Sequence, residues 1–191
     1  AGDLLASTSW EGKLRLWDPE TGKQLFSTMS GVGVPRFSPD DRLLAGDVRD
    51  GKLRLWEVTA GGEYRTLVHT PAVGFVDYYN PTIRSDGRLL AVGMYGGVGL
   101  WDLTNGRELA FLNLPGSNLV LFEPTGALLT NGSAGLLRWP VQADPAAPGL
   151  LRIGPPQKLP MPGTTVQIAC SRDGGVLASA QFQGGLVLHA D

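Results

Sequence analysis

Apolar residues in this chain alternate with polar ones over short runs and do not recur at helical spacing. In Lys13 to Trp17, Leu14 and Leu16 alternate with Lys13 and Arg15; Lys52 to Trp56 repeats the pattern with Leu53, Leu55 and Arg54. Alternation over roughly four to eight residues marks a strand with one face in a core. The runs are bounded by pairs such as Thr21-Gly22, Asp50-Gly51 and Asn105-Gly106. Glycine and asparagine accept the positive φ that tight hairpins require. The pattern predicts many short strands joined by tight turns, an all-β chain.

The strands recur as a unit. Three segments read KLRLWD (Lys13 to Asp18), KLRLWE (Lys52 to Glu57) and GVGLWD (Gly97 to Asp102), followed by the looser GLLRWP (Gly135 to Pro140) and GLVLHA (Gly185 to Ala190). Trp17, Trp56, Trp101, Trp139 and His189 are thereby spaced 39, 45, 38 and 50 residues apart. A second motif keeps step: FSPDDRLLA from Phe37, IRSDGRLLA from Ile83, FEPTGALLT from Phe122 and CSRDGGVLA from Cys170. Each unit is predicted to hold four strands. Strand a ends at the Phe37-type position, strand b is like Leu43 to Gly46, strand c like Lys52 to Trp56, and strand d like Gln24 to Thr28.

A four-stranded unit of about 40–45 residues closing on Trp-Asp resembles the blade of a WD-repeat β-propeller. The resemblance covers nearly all of the chain. It implies an all-β propeller of WD-repeat type with about four and a half blades, an open arc of a ring of about seven or eight. The expected division is a partial blade over 1–33, blades over 34–72, 73–116 and 117–163, and a partial blade over 164–191. Trp17, Trp56, Trp101 and Trp139 take the repeated packing position. The family's Gly-His pair is missing, and only Asp50 sits clearly at its acidic b–c turn position. The family's polar network is therefore expected to be absent, leaving apolar packing to hold the blades together. Counting gives about eighteen strands, with no strand a in the first unit and no strand d in the last. The two end units duplicate b and c, so they cannot complete one another, and each should expose an apolar face. The opening at Ala1, with no initiator methionine, carries the expectation of a piece cut from a longer chain.

Composition agrees with a folded domain: 42% of residues are hydrophobic and 18% charged, too apolar for a disordered tail. The 27 glycines and 14 prolines show no three-residue period, which excludes collagen and disfavours long helices. Sixteen Lys and Arg interleave with eighteen Asp and Glu, so no basic block suits a phosphate backbone and no nucleic-acid partner is expected. The lone Cys170 cannot form an internal disulfide. Apolar runs such as Leu119 to Phe122 are far short of the roughly 18–20 residues of a membrane span. The expected setting is cytoplasmic, with no membrane partner.

No chemistry is legible. Two histidines and one cysteine show no metal-ligand spacing. The pairs Gly12-Lys13, Gly22-Lys23 and Gly51-Lys52 are followed by Leu, Gln and Leu, not the Ser or Thr of a nucleotide loop. No Gly-x-Ser-x-Gly elbow occurs. Cys170 ends an inner strand and reads as a small buried hydrophobe. No catalytic residue, cofactor or metal is expected.

The longer connections are where partners could dock. Val68 to Thr82 is a surplus at a d–a connection or within an extended strand a, and it holds His69, Asp77, Tyr78, Tyr79 and Asn80. Tyr and Asn suit adaptable binding surfaces, and in the family this connection opens on the face where partners dock; the plainer reading is a lengthened loop whose tyrosines pack on a neighbouring blade. Trp10 departs from the repeat, in a b–c turn, either stacked on the next blade or exposed as an anchor. Arg36, Arg84 and Asp77 read by default as solvated charges, with the channel or that face as the alternative. A second surplus, Ala143 to Gly149 and Gly154 to Gly163, is rich in Pro and Ala and reads as a stiff surface excursion. The chain is expected to be a non-catalytic protein-interaction scaffold in a larger signalling protein, its partner another protein or the remainder of the propeller. The alternative is the regulatory or sensor region of a bacterial Ser/Thr protein kinase or signalling ATPase whose catalytic domain lies outside this chain.

Overall fold

A computed structural model describes residues 2–29, 33–48, 52–58, 64–67, 78–94, 96–116, 119–146, 150–160 and 165–190. Among them are twenty strands and no helix. The first sheet is β1 (Leu5–Thr8), β2 (Lys13–Trp17) and β3 (Gln24–Met29). The second is β4 (Arg36–Phe37), β5 (Leu43–Val48), β6 (Lys52–Glu57) and β7 (Tyr64–Leu67). The third is β8 (Tyr78–Ile83), β9 (Leu89–Met94), β10 (Gly97–Asp102) and β11 (Arg107–Asn113). The fourth joins β12 (Leu119–Phe122), β13 (Leu128–Gly132), β14 (Gly135–Trp139) and β17 (Gln157–Lys158). Between β14 and β17 lies a separate hairpin, β15 (Val141–Ala143) with β16 (Leu151–Ile153). The last sheet is β18 (Thr165–Cys170), β19 (Val176–Gln181) and β20 (Leu186–Ala190).

Each sheet is an antiparallel meander, the strand order of a propeller blade, and the expected β-propeller fold is what the chain adopts. Because strands alternate in direction, every b–c turn and d–a connection leaves one face of the arc, and every a–b turn and c–d connection leaves the other. The expected eighteen strands become twenty among the described residues because of the β15–β16 hairpin, which brackets the first part of the Pro-rich stretch.

The joints between blades follow one rule. Leu14 and Leu16 of β2 pack with Leu44 and the half-buried Trp56 of the second blade. Leu53 and Leu55 of β6 pack with Leu90, Val92 and Trp101 of the third. Val98 and Leu100 of β10 pack with Val120, Phe122 and Trp139 of the fourth. So one face of strand c meets the tryptophan-bearing face of the next blade. The third blade is covered on both sides, and every residue of β9 is buried.

Trp101 is the most deeply buried tryptophan, at 1% exposure. Its strand has Gly99 where Arg15 and Arg54 stand in the first two blades. A Cβ at Gly99 would lie 2.5 Å from Trp101 Cη2 and would also strike Met94 Cε. The indole therefore lies across the bare backbone of the glycine.

The family's polar network is not wholly lost, contrary to the sequence expectation. Trp17 Nε1 donates to Ser7 Oγ at 2.8 Å, and Trp139 Nε1 donates to Thr130 Oγ1 at 2.9 Å. Both hydroxyls stand two residues beyond the strand-b residue opposite the tryptophan, Leu5 and Leu128. At the same register the second and third blades have Gly46 and Val92, which offer no hydroxyl. The a–b turns carry a second recurring device. Ser38 Oγ donates to Asp40 and accepts from Leu43 N, and Ser171 Oγ does the same with Asp173 and Val176 N.

The hairpin that brackets the first part of the excursion is anchored in the core. Val141, Leu151 and Ile153 of the hairpin pack, with Ala110 and Leu112 of β11, against the core between the third and fourth blades. Its apolar residues fill a joint, which is why it folds back.

Candidate functional site

The b–c turn of the first blade runs from Ser9 to Lys13. Ser9 N donates to Lys13 O at 3.0 Å and Gly12 N to Ser9 O at 2.8 Å, with Gly12 at φ 80°. This geometry pushes Trp10 outward to 92% exposure. Of the two readings open for Trp10, the structure shows the exposed one. Thr8 Oγ1 donates to Gly33 O at 2.7 Å, tying this corner to the next d–a connection.

The last blade repeats the device. Gln181 N donates to Gly185 O and Gly184 N to Gln181 O, both at 3.1 Å, the same pattern at the same place. Phe182 stands where Trp10 stands and is 78% exposed. Sequence reasoning missed it. Its signal was the alignment of Ser9-Trp10-Glu11-Gly12 with Gln181-Phe182-Gln183-Gly184, hidden because His189 replaces the tryptophan that anchors the comparison.

Of the predicted binding cluster, Tyr78, Tyr79 and Asn80 fall in strand a of the third blade, β8, not in a loop. The backbone of Asn80 sits at φ 40°, and the register shifts between Tyr79 and Thr82, a bulge in the innermost strand. Asparagine tolerates this left-handed region better than most residues, and bulges re-aim side chains. Tyr79 and Asn80 are half-buried, and Thr82 Oγ1 accepts from Phe122 N at 3.2 Å across the joint to the fourth blade. His69 and Asp77 lie outside the described residues. Trp10 is two blades from β8, so the structure groups these residues by face without bringing Trp10 and Tyr79 into contact.

Arg84 pairs with Asp86 inside its own a–b turn. Arg36 is exposed and donates to Pro35 O at 3.2 Å.

Clefts lie between blades at two places among the described residues. On the a–b face, one of about 290 Å³ separates the second and third blades, lined by Asp40, Arg42, Glu57 and Asp86. Its charges are mutually engaged: Arg42 is 3.6 Å from Glu57, and the Ser38 hydroxyl holds the Asp40 carboxyl below its ordinary range. On the b–c face, one of about 540 Å³ lies between the fourth and fifth blades, lined by Asn131, Ser133, Leu136, Lys158, Pro160 and Thr165.

Chemistry is poorly served. No cluster of three metal-ligating side chains occurs among the described residues. Burial, helped by the carboxylates of Glu123 and Asp173, raises the Cys170 thiol above its ordinary pKa, the wrong direction for a nucleophile. No helix among the described residues is long and apolar enough to cross a membrane.

Residues 25–57 match the family model described as WD domain, G-beta repeat. No curated protein sequence matches the chain. Among solved structures, the chain is similar to the β-propeller domain of Cps50 (Swd1) from Myceliophteria thermophila, with a TM-score of 0.75 and 15% identity over 99% of this chain and 67% of that one. At that identity the likeness speaks for fold alone. The tryptophan repeat, the stacked meanders and the structural likeness agree on a β-propeller fold, and residues 25–57 within it match a WD repeat.

Proposed function

We propose that this chain is a non-catalytic scaffold for protein–protein interaction within a larger signalling protein, docking its partner on the face where the b–c turns and d–a connections emerge. The observation that carries the reading is Trp10, a large aromatic held 92% exposed by a closed, hydrogen-bonded turn. An indole fixed in water on a rigid turn costs little entropy to bury and suits an interface anchor. Tyr78, Tyr79 and Asn80 begin β8 at the same face and would add polar contacts, while His69 and Asp77 lie outside the described residues. Stacked blades give this face a stiff support, and partners of propeller folds commonly read such turn arrays.

The test is affinity capture with wild type, Trp10→Ala and the pair Tyr78→Ala/Tyr79→Ala, with circular dichroism to check folding. Folded variants that lose a partner retained by wild type support the reading. Undiminished recovery by all variants sinks it.

A further inference from the structure

We propose that the cleft between the fourth and fifth blades, on the face carrying the b–c turns, binds an acidic linear peptide segment through Lys158. The inference rests on the scaffold reading and names a second contact on that face.

The cleft lies beside a short strand. Strand d of the fourth blade, β17, is two residues long and pairs only Leu137 with Lys158 and Arg138 with Gln157. One further bond, Leu159 N to Leu136 O at 2.9 Å, is the last that the described residues of this strand give to β14. Beside it about 540 Å³ is open. Asn131 Nδ2 donates to Thr165 O at 3.2 Å and so ties the fourth blade to the fifth across this space.

Charge fixes the occupant. Lys158 is the one charged residue among the described residues lining the cleft. Its stem lies over Gly135: a Cβ there would be 3.4 Å from Lys158 Cε and 3.8 Å from Nζ. That is ordinary contact, so the lysine stem rests against the turn, and it is the φ of 89° that calls for glycine there. Among the described residues no carboxylate pairs with Lys158, whereas Arg138 on the adjacent strand has Glu123 at 2.8 Å. A cation in a part-apolar cleft attracts a carboxylate flanked by apolar residues. Leu136, Leu159 and Pro160 supply the apolar wall. Phe182 is exposed on the neighbouring turn, next to Gln181, whose Nε2 reaches Thr165 Oγ1 at 3.4 Å.

The experiment is fluorescence anisotropy with two labelled synthetic peptide pools of equal length. One alternates Glu with Leu or Phe; the other replaces every Glu by Lys. The 191-residue chain is expected to bind the acidic pool and not the basic one, more weakly as salt rises. Lys158→Glu should weaken binding by about tenfold or more, Lys158→Arg should retain it, and Phe182→Ser should weaken it severalfold. Lys158 and Phe182 are both exposed, so these variants should fold. Equal binding of both pools, no binding of the acidic pool, or full binding by Lys158→Glu overturns the proposal. Loss of partner capture by Trp10→Ala alongside unaltered peptide binding by Lys158→Glu would leave the scaffold reading standing and remove only this cleft.

Discussion

Gly99→Ala is a small change with a decisive sign. In an ordinary strand, replacing glycine by alanine removes unfolded-state freedom and stabilises by about 0.5–1 kcal/mol. Here the new methyl would sit 2.5 Å from Trp101 Cη2 and 2.7 Å from Cζ3, where carbon atoms prefer about 3.5–4.0 Å. Met94 Cε, also in the way, ends a flexible side chain and can swing aside. The indole cannot, because Leu53, Leu55 and Leu90 pack in the same core. Overpacking of this kind costs about 1–3 kcal/mol, and for a domain of this size each kcal/mol lowers Tm by about 2–4 °C. The expected fall is therefore about 2–12 °C, followed by circular dichroism and by tryptophan emission. The cycle with Trp101→Leu isolates the cause: in that background Gly99→Ala should cost far less. A Gly99→Ala chain as stable as wild type, or more so, would refute the account of how Trp101 is held.

Three further outcomes follow from the geometry. Thr130→Val leaves the Trp139 indole N–H without its 2.9 Å acceptor and should cost about 1–2 kcal/mol in denaturant unfolding; an unchanged midpoint would deny the bond any weight. The Ser38 hydroxyl, then the Arg42 amide, hold the Asp40 carboxyl below its ordinary pKa against the opposing effect of burial. Such a group stabilises the fold above the unfolded value of about 3.9 and loses that contribution as pH falls through its lower folded value. Ser38→Ala should therefore shift acid unfolding to higher pH, and Ser171→Ala should do the same through Asp173, whose leading interaction is likewise the serine; an unmoved acid midpoint counts against both. Leu151→Ser should destabilise by about 1–2 kcal/mol because the hairpin packs on the core, whereas a free excursion would change stability by less than about 0.5 kcal/mol.

What could be read from sequence was whatever is local and repeated. Leu14, Leu16, Leu53 and Leu55 announce the buried face of strand c by alternation alone, and the glycine turns set its ends. What escaped depends on relations between strands. The Trp17–Ser7 and Trp139–Thr130 bonds need a cross-strand register that no linear spacing displays. The hairpin from Val141 to Ile153 carries only a few apolar residues in a Pro-rich stretch, and their value comes from the joint they fill. Lys158 looks ordinary until the fold sets it in a cleft as the one charged residue among the described lining. The exposure of Trp10 was undecidable from sequence because a turn aromatic can equally well be covered by its neighbour.

The third blade, sheltered on both sides, sets an order on unfolding. In a stacked array each unit is held chiefly by its neighbours, so units covered on one side open first. Leu5, opposite Trp17, is 55% exposed, and Leu186 and Leu188 in the last blade are 65% and 64% exposed. The amides beside these residues should exchange with solvent through local fraying. The amides of β9 and β10, whose strands are buried almost throughout, should exchange last, which makes the third blade the most protected part of the described structure.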